Sequence, residues 1–176
     1  MRLPLNREDW LALDQHWTAC CNRASRYHFW RGFFVCISRV GNGIFWYVLM
    51  AGLLLVNGLS ALPVVMHMVG VGLAGLILYK WLKRITSRPR PFMRSEAILR
   101  AYDVLDEYSF PSGHTLHAVS LSIVALAYLP VLAGLLIPFT VLVAVSRPVL
   151  GLHYPSDVVA GAMIGASLAA LSLALV

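Results

Sequence analysis

The sequence predicts an all-α fold: a polytopic transmembrane helical bundle of about five spans, preceded by an N-terminal amphipathic interfacial segment. Three observations carry this prediction. Hydrophobic residues make up 59 % of the 176-residue chain and charged residues only 12 %, about half the charge of an ordinary soluble domain, roughly 25 %. The apolar residues come in long uncharged runs rather than in the periodic stripes of a soluble helix. The Lys and Arg side chains are confined to the segment before the first run and to the segments between particular runs.

Residues 1–39 mix aromatics with arginine, as in "RYHFWRGFFVCISR". Spanning the bilayer with this segment would bury Arg23, Arg26 and Arg31, which is costly. The mixture suits a helix lying on the surface with its aromatics at headgroup level. No apolar central region of a cleavable signal peptide is visible there, so insertion is expected through the first span. Apolar runs follow at 40–59, 62–79, 114–129, 131–146 and 155–176. A helix needs about 20 residues to cross a ~30 Å hydrocarbon core, so the third and fourth are expected to extend into their flanks. Short uncharged connectors, "NGLSALP" and "AYLP", suit helical hairpins. Small residues in "AGAMIGASLAA" would let helices approach closely. One membrane-embedded domain over 1–176 accounts for the whole sequence, with 40–176 as its bundle.

Net charge is +6, from fourteen Lys and Arg against eight Asp and Glu. Six arginines precede the first run (Arg2, Arg7, Arg23, Arg26, Arg31, Arg39). Seven cations lie between the second and third (Lys80, Lys83, Arg84, Arg88, Arg90, Arg94, Arg100), and Arg147 follows the fourth. With five spans, all of these fall on one face, and the positive-inside rule makes that face cytoplasmic. The basic excess is thus read as topology and headgroup attraction, with no nucleic-acid partner. Cys20, Cys21 and Cys36 are odd in number and two are adjacent, which predicts free thiols rather than a disulfide framework.

Three motifs lie on the charged face: "KRITSRPRP", "PSGH" at 111–114, and "SRPVLGLHYPSD" at 146–157. Each sits at the end of an apolar run, so a small bundle can bring them to one ligand. Lys83, Arg90 and Arg147 supply fixed positive charge, and arginine offers a planar fork of donors. Ser112 and Gly113 stand where a helix begins, and free backbone N–H groups there favour an anion. Three cations and a donor-rich turn describe a phosphate pocket. His114 and His153 are then left beside it, and phosphoryl transfer to water needs a nucleophile and a proton donor. Asp157, four residues after His153, can accept a hydrogen bond from one imidazole nitrogen and leave the other free to attack, the orienting logic of a catalytic triad. With the cations already neutralising the phosphoryl oxygens, no metal or other cofactor is expected, and the sequence agrees in having no cluster of carboxylates or Cys/His at metal-ligand spacing.

These motifs identify the chain as resembling the type 2 phosphatidic acid phosphatase superfamily, in its membrane lipid phosphatase branch. That family's signature is K-x6-R-P, then P-S-G-H, then S-R-x5-H-x3-D. Here it reads Lys83 to Arg90-Pro91, Pro111 to His114, and Ser146-Arg147 to His153 to Asp157. The resemblance implies His153 as nucleophile through a phosphohistidine, His114 as the acid that protonates the leaving alkoxide and then activates water, and Asp157 as the holder of His153. Lys83, Arg90, Ser112, Gly113 and Arg147 would bind the phosphate oxygens, without a metal. The implied substrate is a lipid phosphate monoester or diphosphate: phosphatidic acid, phosphatidylglycerophosphate, or a polyprenyl phosphate or diphosphate. Bacterial membrane members often have six spans and an outward pocket. A surface segment here stands in place of the first span, which is why the pocket is expected inward, in a bacterial inner membrane. An inward pocket favours phosphatidylglycerophosphate. Two alternatives stay open: a vanadate-dependent haloperoxidase-like oxidoreductase, which shares the oxyanion pocket, and a non-catalytic lipid-phosphate binder or transporter. Neither the particular lipid nor the oligomeric state is legible.

The other polar residues carry plainer expectations. Lys80, Arg84, Arg88 and Arg94 read as interfacial anchors. His117 reads as a hydrogen-bonded interior residue, His67 as structural, and His16 and His28 as part of the surface segment. Glu96, Asp103, Asp106 and Glu107 read as solvated loop charges, or as a lid that repels the wrong headgroup.

Overall fold

The structure, a computed structural model, describes residues 7–103 and 106–176. Arg2, one of the six N-terminal arginines, lies outside the described residues. The expected surface segment forms two helices, α1 (Arg7–Asn22) and α2 (His28–Gly41), joined by a 3-10 turn at Arg23–Arg26. Trp10, Trp17, Tyr27, Phe29 and Trp30 are exposed, as interfacial anchors require. The opposite face is not solvated: Thr18, Asn22, Ser25, Phe34 and Ser38 are buried against the bundle. The last carbonyls of a helix lack intrahelical donors, and the N-terminal segment supplies them to a later helix. Asn22 Nδ2 and Ser25 Oγ both donate to the Val149 carbonyl, at 2.8 and 2.7 Å. Asn22 also brackets Leu99, donating to its carbonyl at 3.0 Å and accepting from its amide at 2.7 Å.

The first two runs form α3 (Ile44–Asn57) and α4 (Leu62–Thr86). Val40 and Gly41, expected at the start of the first span, instead end α2. The chain is helical almost without pause from 44 to 86, but it reverses. Gly43 and Lys83 line one cavity, whereas a straight helix would hold them ~60 Å apart at 1.5 Å per residue. Gly58, at φ 60° and ψ −146°, sits at the reversal in a conformation open to glycine. α4 continues past the expected 62–79 until Ser87 enters the left-handed region and caps the Lys83 carbonyl at 3.0 Å. That extension puts Lys83 on a helix.

After a one-turn helix α5 (Pro91–Arg94) and a connector, α6 (Gly113–Tyr128), α7 (Ala133–Val149) and α8 (Pro155–Leu173) complete the bundle. The third, fourth and fifth runs were expected at 114–129, 131–146 and 155–176; α7 runs on to carry Arg147 within its last turn. α6 is the central helix, with Leu116, Ala118, Val124 and Ala125 fully buried. It touches α8 backbone to backbone. A Cβ on Gly161 would lie 2.6 Å from the Ser112 carbonyl oxygen, and one on Gly165 2.5 Å from that of Leu116, so the small-residue stretch does admit close approach. Trp46, Met68, Leu136, Phe139 and Val143 fill the space between α3, α4 and α7.

The outer surface carries Leu55, Ile77, Trp81, Val141, Met163 and Leu171, all more than half exposed. Such a belt is a liability in water and the right surface in lipid. The segments 44–86, 130–149 and 155–173 are long and apolar enough to cross a membrane, and α6 is shorter but apolar. The chain is an integral membrane protein. α3 and α6, at 14 and 16 residues, are shorter than the ~20 residues of a full span.

Candidate active site

All three motifs meet at one end of the bundle, around a cavity of about 650 Å³ lined by Lys83, Arg90, Gly113, His114, Arg147 and His153. Its cationic end is built by α4 and the segment after it. Lys83 and Arg90 are both buried, and an unpaired buried charge is costly. Asp106 answers that cost. Its carboxylate oxygens accept from Lys83 Nζ at 2.9 and 2.8 Å and from Arg90 Nη2. Burial pushes the Asp106 carboxyl up, but the bonds and charges of Lys83 and Arg90 outweigh it and hold it below the usual carboxylate range. Asp106 is therefore no solvated loop charge, as the sequence suggested, but an anion bound by two of the expected phosphate ligands. A bridge between Pro89 and Tyr108, with Ser109 N donating to the Arg88 carbonyl at 2.8 Å, pins the connector in place.

Ser112 is the N-cap of α6. Its hydroxyl pairs with Thr115 Oγ1 at 2.9 Å and accepts from the Thr115 amide at 3.4 Å, while its own amide donates to the Asp157 carbonyl at 3.0 Å. The side chain thus serves the helix start, and Ser112 is not among the cavity-lining residues. Gly113 and His114 do line it, at the helix end whose first amides have no intrahelical partner. One turn later His117 bonds the Gly113 and Gly72 carbonyls at 3.1 and 3.0 Å, the interior role expected of it. His67 has partners the sequence did not reveal, Tyr128 Oη at 3.1 Å and Ser172 Oγ at 3.0 Å.

Arg147 projects from the last turn of α7. It is buried, donates to Ser38 Oγ of α2, and its Nε has no hydrogen-bond partner. His153 follows in the turn before α8, 1 % exposed. Its Nε2 lies 3.5 Å from Arg90 Nη1, on the cationic side, and its Nδ1 lies 3.6 Å from Asp157 Oδ2. That separation exceeds a hydrogen bond, and Nδ1 has no other partner. The imidazole and carboxylate face each other as the spacing predicts, but without the expected bond. Burial, together with Arg147, Arg90 and Lys83, holds His153 well below its ordinary value, so its imidazole is neutral near pH 7. A neutral imidazole keeps the lone pair an attacking nitrogen needs. Asp157, fully buried, occupies the third helical position of α8, where it accepts from the Tyr154 amide at 3.0 Å.

Arg88 departs from its expected role as an interfacial anchor. Its guanidinium donates to Asp157 Oδ1 and to Asp14 Oδ2, each at 2.6 Å. Sequence reasoning also passed over Asp14, Asn22, Ser25 and Ser38, which lie in the segment read as a surface helix. The visible signal for the first three of them was a polar stripe at four- and three-residue spacing, Asp14, Thr18, Asn22 and Ser25.

From the cationic end the cavity extends between α3 and α4, where Trp46, Tyr47 and Met50 face Met68, Val69 and Leu73. No group of three or more His, Cys, Asp or Glu that could hold a metal ion occurs among the described residues.

Comparisons with known proteins agree with this architecture. A family model described as the PAP2 superfamily matches residues 61–176. Decaprenylphosphoryl-5-phosphoribose phosphatase from two Mycobacterium tuberculosis strains is 38 % identical over 92 residues, 51 % of this chain and 49 % of theirs. The chain thus spans about half the length of the curated relatives it matches. The crystal structure of a transmembrane PAP2-type phosphatidylglycerolphosphate phosphatase from Bacillus subtilis superposes with a TM-score of 0.76 at 22 % identity, over 97 % of this chain and 88 % of that one. Aquifex aeolicus LpxE superposes with a TM-score of 0.79 at 24 % identity, over 92 % and 95 %. At those identities the two structures speak for the fold. The family match covers α4 through α8, the helices and turns that carry all three motifs, and on that ground the chain belongs to the PAP2 superfamily.

Proposed function

We propose that the protein is a membrane lipid phosphatase that cleaves the phosphate monoester, or diphosphate, of a lipid through a phosphohistidine. The observation that carries this reading is the convergence of three buried cations and two imidazoles on one cavity, which continues as an apolar groove between two membrane helices. The phosphoryl group sits against Lys83, Arg90, Arg147 and the first amides of α6. His153 Nε2 attacks phosphorus in line as the P–O ester bond breaks, and His114 gives its proton to the departing alkoxide. His114 then takes a proton from water, whose oxygen attacks phosphorus and breaks the P–N bond. Phosphate leaves, and both imidazoles return to their starting states. Asp157 faces Nδ1 and stabilises the positive charge that develops on His153. Asp106 must yield its place on Lys83 and Arg90 as phosphate enters.

The lipid tail lies along the groove between α3 and α4, reached from the side within the bilayer. The charged end of the bundle faces the cytoplasm, since residues 40–79, 115–146 and 158–176 contain no charged side chain. Two substrates are the ones to separate. The mycobacterial relatives point to a polyprenyl-linked sugar phosphate, and an inward pocket points to phosphatidylglycerophosphate.

The test is phosphate release by purified protein from a panel holding both of these with phosphatidic acid and polyprenyl phosphate and diphosphate. Wild type is expected to release phosphate from at least one, and His153→Ala from none. Equal release by wild type and His153→Ala would overturn the mechanism. Labelling of Glu96→Cys, in a background without Cys20, Cys21 and Cys36, by a membrane-impermeant thiol reagent from one side only reads the orientation.

A further inference from the structure

Arg88 has two forks and uses them on two carboxylates. Nη1 donates to Asp157 Oδ1 at 2.6 Å and to Ser156 Oγ at 2.7 Å; Nη2 donates to Asp14 Oδ2 at 2.6 Å. The guanidinium lies 4.1 Å over the Tyr154 ring, which fixes its plane. Asp14 is itself anchored, since its carboxylate accepts from the Ser156 amide at 3.1 Å and from the Ser156 hydroxyl. Thus α1 is clamped to the start of α8.

An arginine beside a single carboxylate prefers to take both of its oxygens. Here it takes only Oδ1 of Asp157, because Nη2 is held by Asp14. Oδ2 is left for the Tyr154 amide and for His153 Nδ1. We propose that Asp14 and Arg88 are positioning residues of the reaction: Asp14 restrains Arg88 from chelating Asp157, so that one carboxylate oxygen stays turned toward the nucleophilic imidazole. This deepens the phosphatase reading and rests on it. Neither residue lines the cavity, so neither touches phosphate. Each acts through Asp157.

The tethering predicts a rescue that a purely structural role would not give. In Asp14→Ala, Nη2 is released, Arg88 captures both oxygens of Asp157, and Oδ2 is no longer turned toward His153 Nδ1. kcat is expected to fall about tenfold with KM within about twofold, the loss of roughly one charge-assisted bond in the transition state. Adding Arg88→Met should restore most of that loss, because a thioether has no N–H with which to take either oxygen of Asp157. Inhibition gives a second readout. Orthovanadate, which bonds to the attacking nitrogen, should bind Asp14→Ala more weakly, while inorganic phosphate, which needs only the cations, should bind as before. Asp14→Asn keeps the acceptor for the Ser156 amide and serves if the alanine variant does not fold. Phosphate release by wild type but not by His153→Ala establishes the underlying mechanism in the same assay. Against that background, unchanged kcat in Asp14→Ala, or a double variant no faster than the single one, overturns the positioning role.

Discussion

Replacing Asp106 by asparagine keeps the shape of the side chain and removes its charge. In the structure that carboxylate bonds Lys83 with both oxygens and Arg90 with one. The two cations are 7 % and 2 % exposed, whereas Asp106 is 47 % exposed. A fully buried charge-assisted bond contributes about 1.5–3 kcal/mol, and an exposed ion pair about 0–1 kcal/mol. A half-exposed carboxylate shared by two buried cations, discounted for solvent, is placed in the upper half of the exposed range, at about 0.5–1 kcal/mol per cation. Entering phosphate must displace both contacts, a penalty of about 1–2 kcal/mol, or roughly five- to thirtyfold in affinity. Asp106→Asn should therefore lower the inhibition constant of inorganic phosphate, and the KM for a lipid phosphate, by that factor. The factor should shrink as salt is added, because the exposed side of the carboxylate is screened. Inhibition by phosphate, measured at low and at physiological ionic strength in detergent, reads this directly. A weaker or unchanged phosphate affinity in the variant would refute the reasoning, and would show that Asp106 arranges the cations rather than competing for them.

Asn22→Ala removes the three bonds that join the N-terminal segment to Leu99 and Val149. It should destabilise the protein by about 2–4 kcal/mol, read as a lower unfolding midpoint in detergent. Gly161→Ala drives a Cβ against the Ser112 carbonyl and should cost about 1–3 kcal/mol; thermal stability equal to wild type would mean that α6 and α8 part more easily than their contact indicates. His153 supplies a pH dependence. Its folded-state value is depressed, so below about pH 6.5 the unfolded chain takes up a proton that the folded chain refuses. That contribution to stability is present above this value and lost as pH falls. Thermal unfolding of wild type should thus weaken between pH 7.5 and 5.5 more than that of His153→Gln, by up to about 1.4 kcal/mol per pH unit, and parallel trends would contradict a buried neutral imidazole.

The helical bundle was legible because lipid imposes long uncharged runs, and no tertiary detail is needed to see them. The motif residues drew notice because each sits at or beyond the end of such a run, where an ionisable group is conspicuous. The boundaries were less so. Lys83 lay beyond the apolar stretch 62–79, yet α4 continues through it, because nothing stops the helix before Ser87 and Pro89. The polar face of the N-terminal segment was missed for a physical reason. An amphipathic helix with aromatics on one side looks the same whether its polar side meets water or the exposed carbonyls of α7. The roles of Arg88 and Asp106 were illegible because a cation near the interface and a carboxylate in a loop are ordinary, and only the fold brings them to Asp157 and Lys83.

The backbone contacts of Gly161 with Ser112 and of Gly165 with Leu116 have a mechanical consequence. His114 stands at the head of α6 and Asp157 at the head of α8, so the two groups proposed as acid and orienting carboxylate ride on a single stiff block. Lys83, Arg90 and Arg147 ride on other pieces of the chain. Whatever adjustment a bulkier headgroup demands must then come from the cation-bearing jaw, while the other jaw holds its alignment from one substrate to the next.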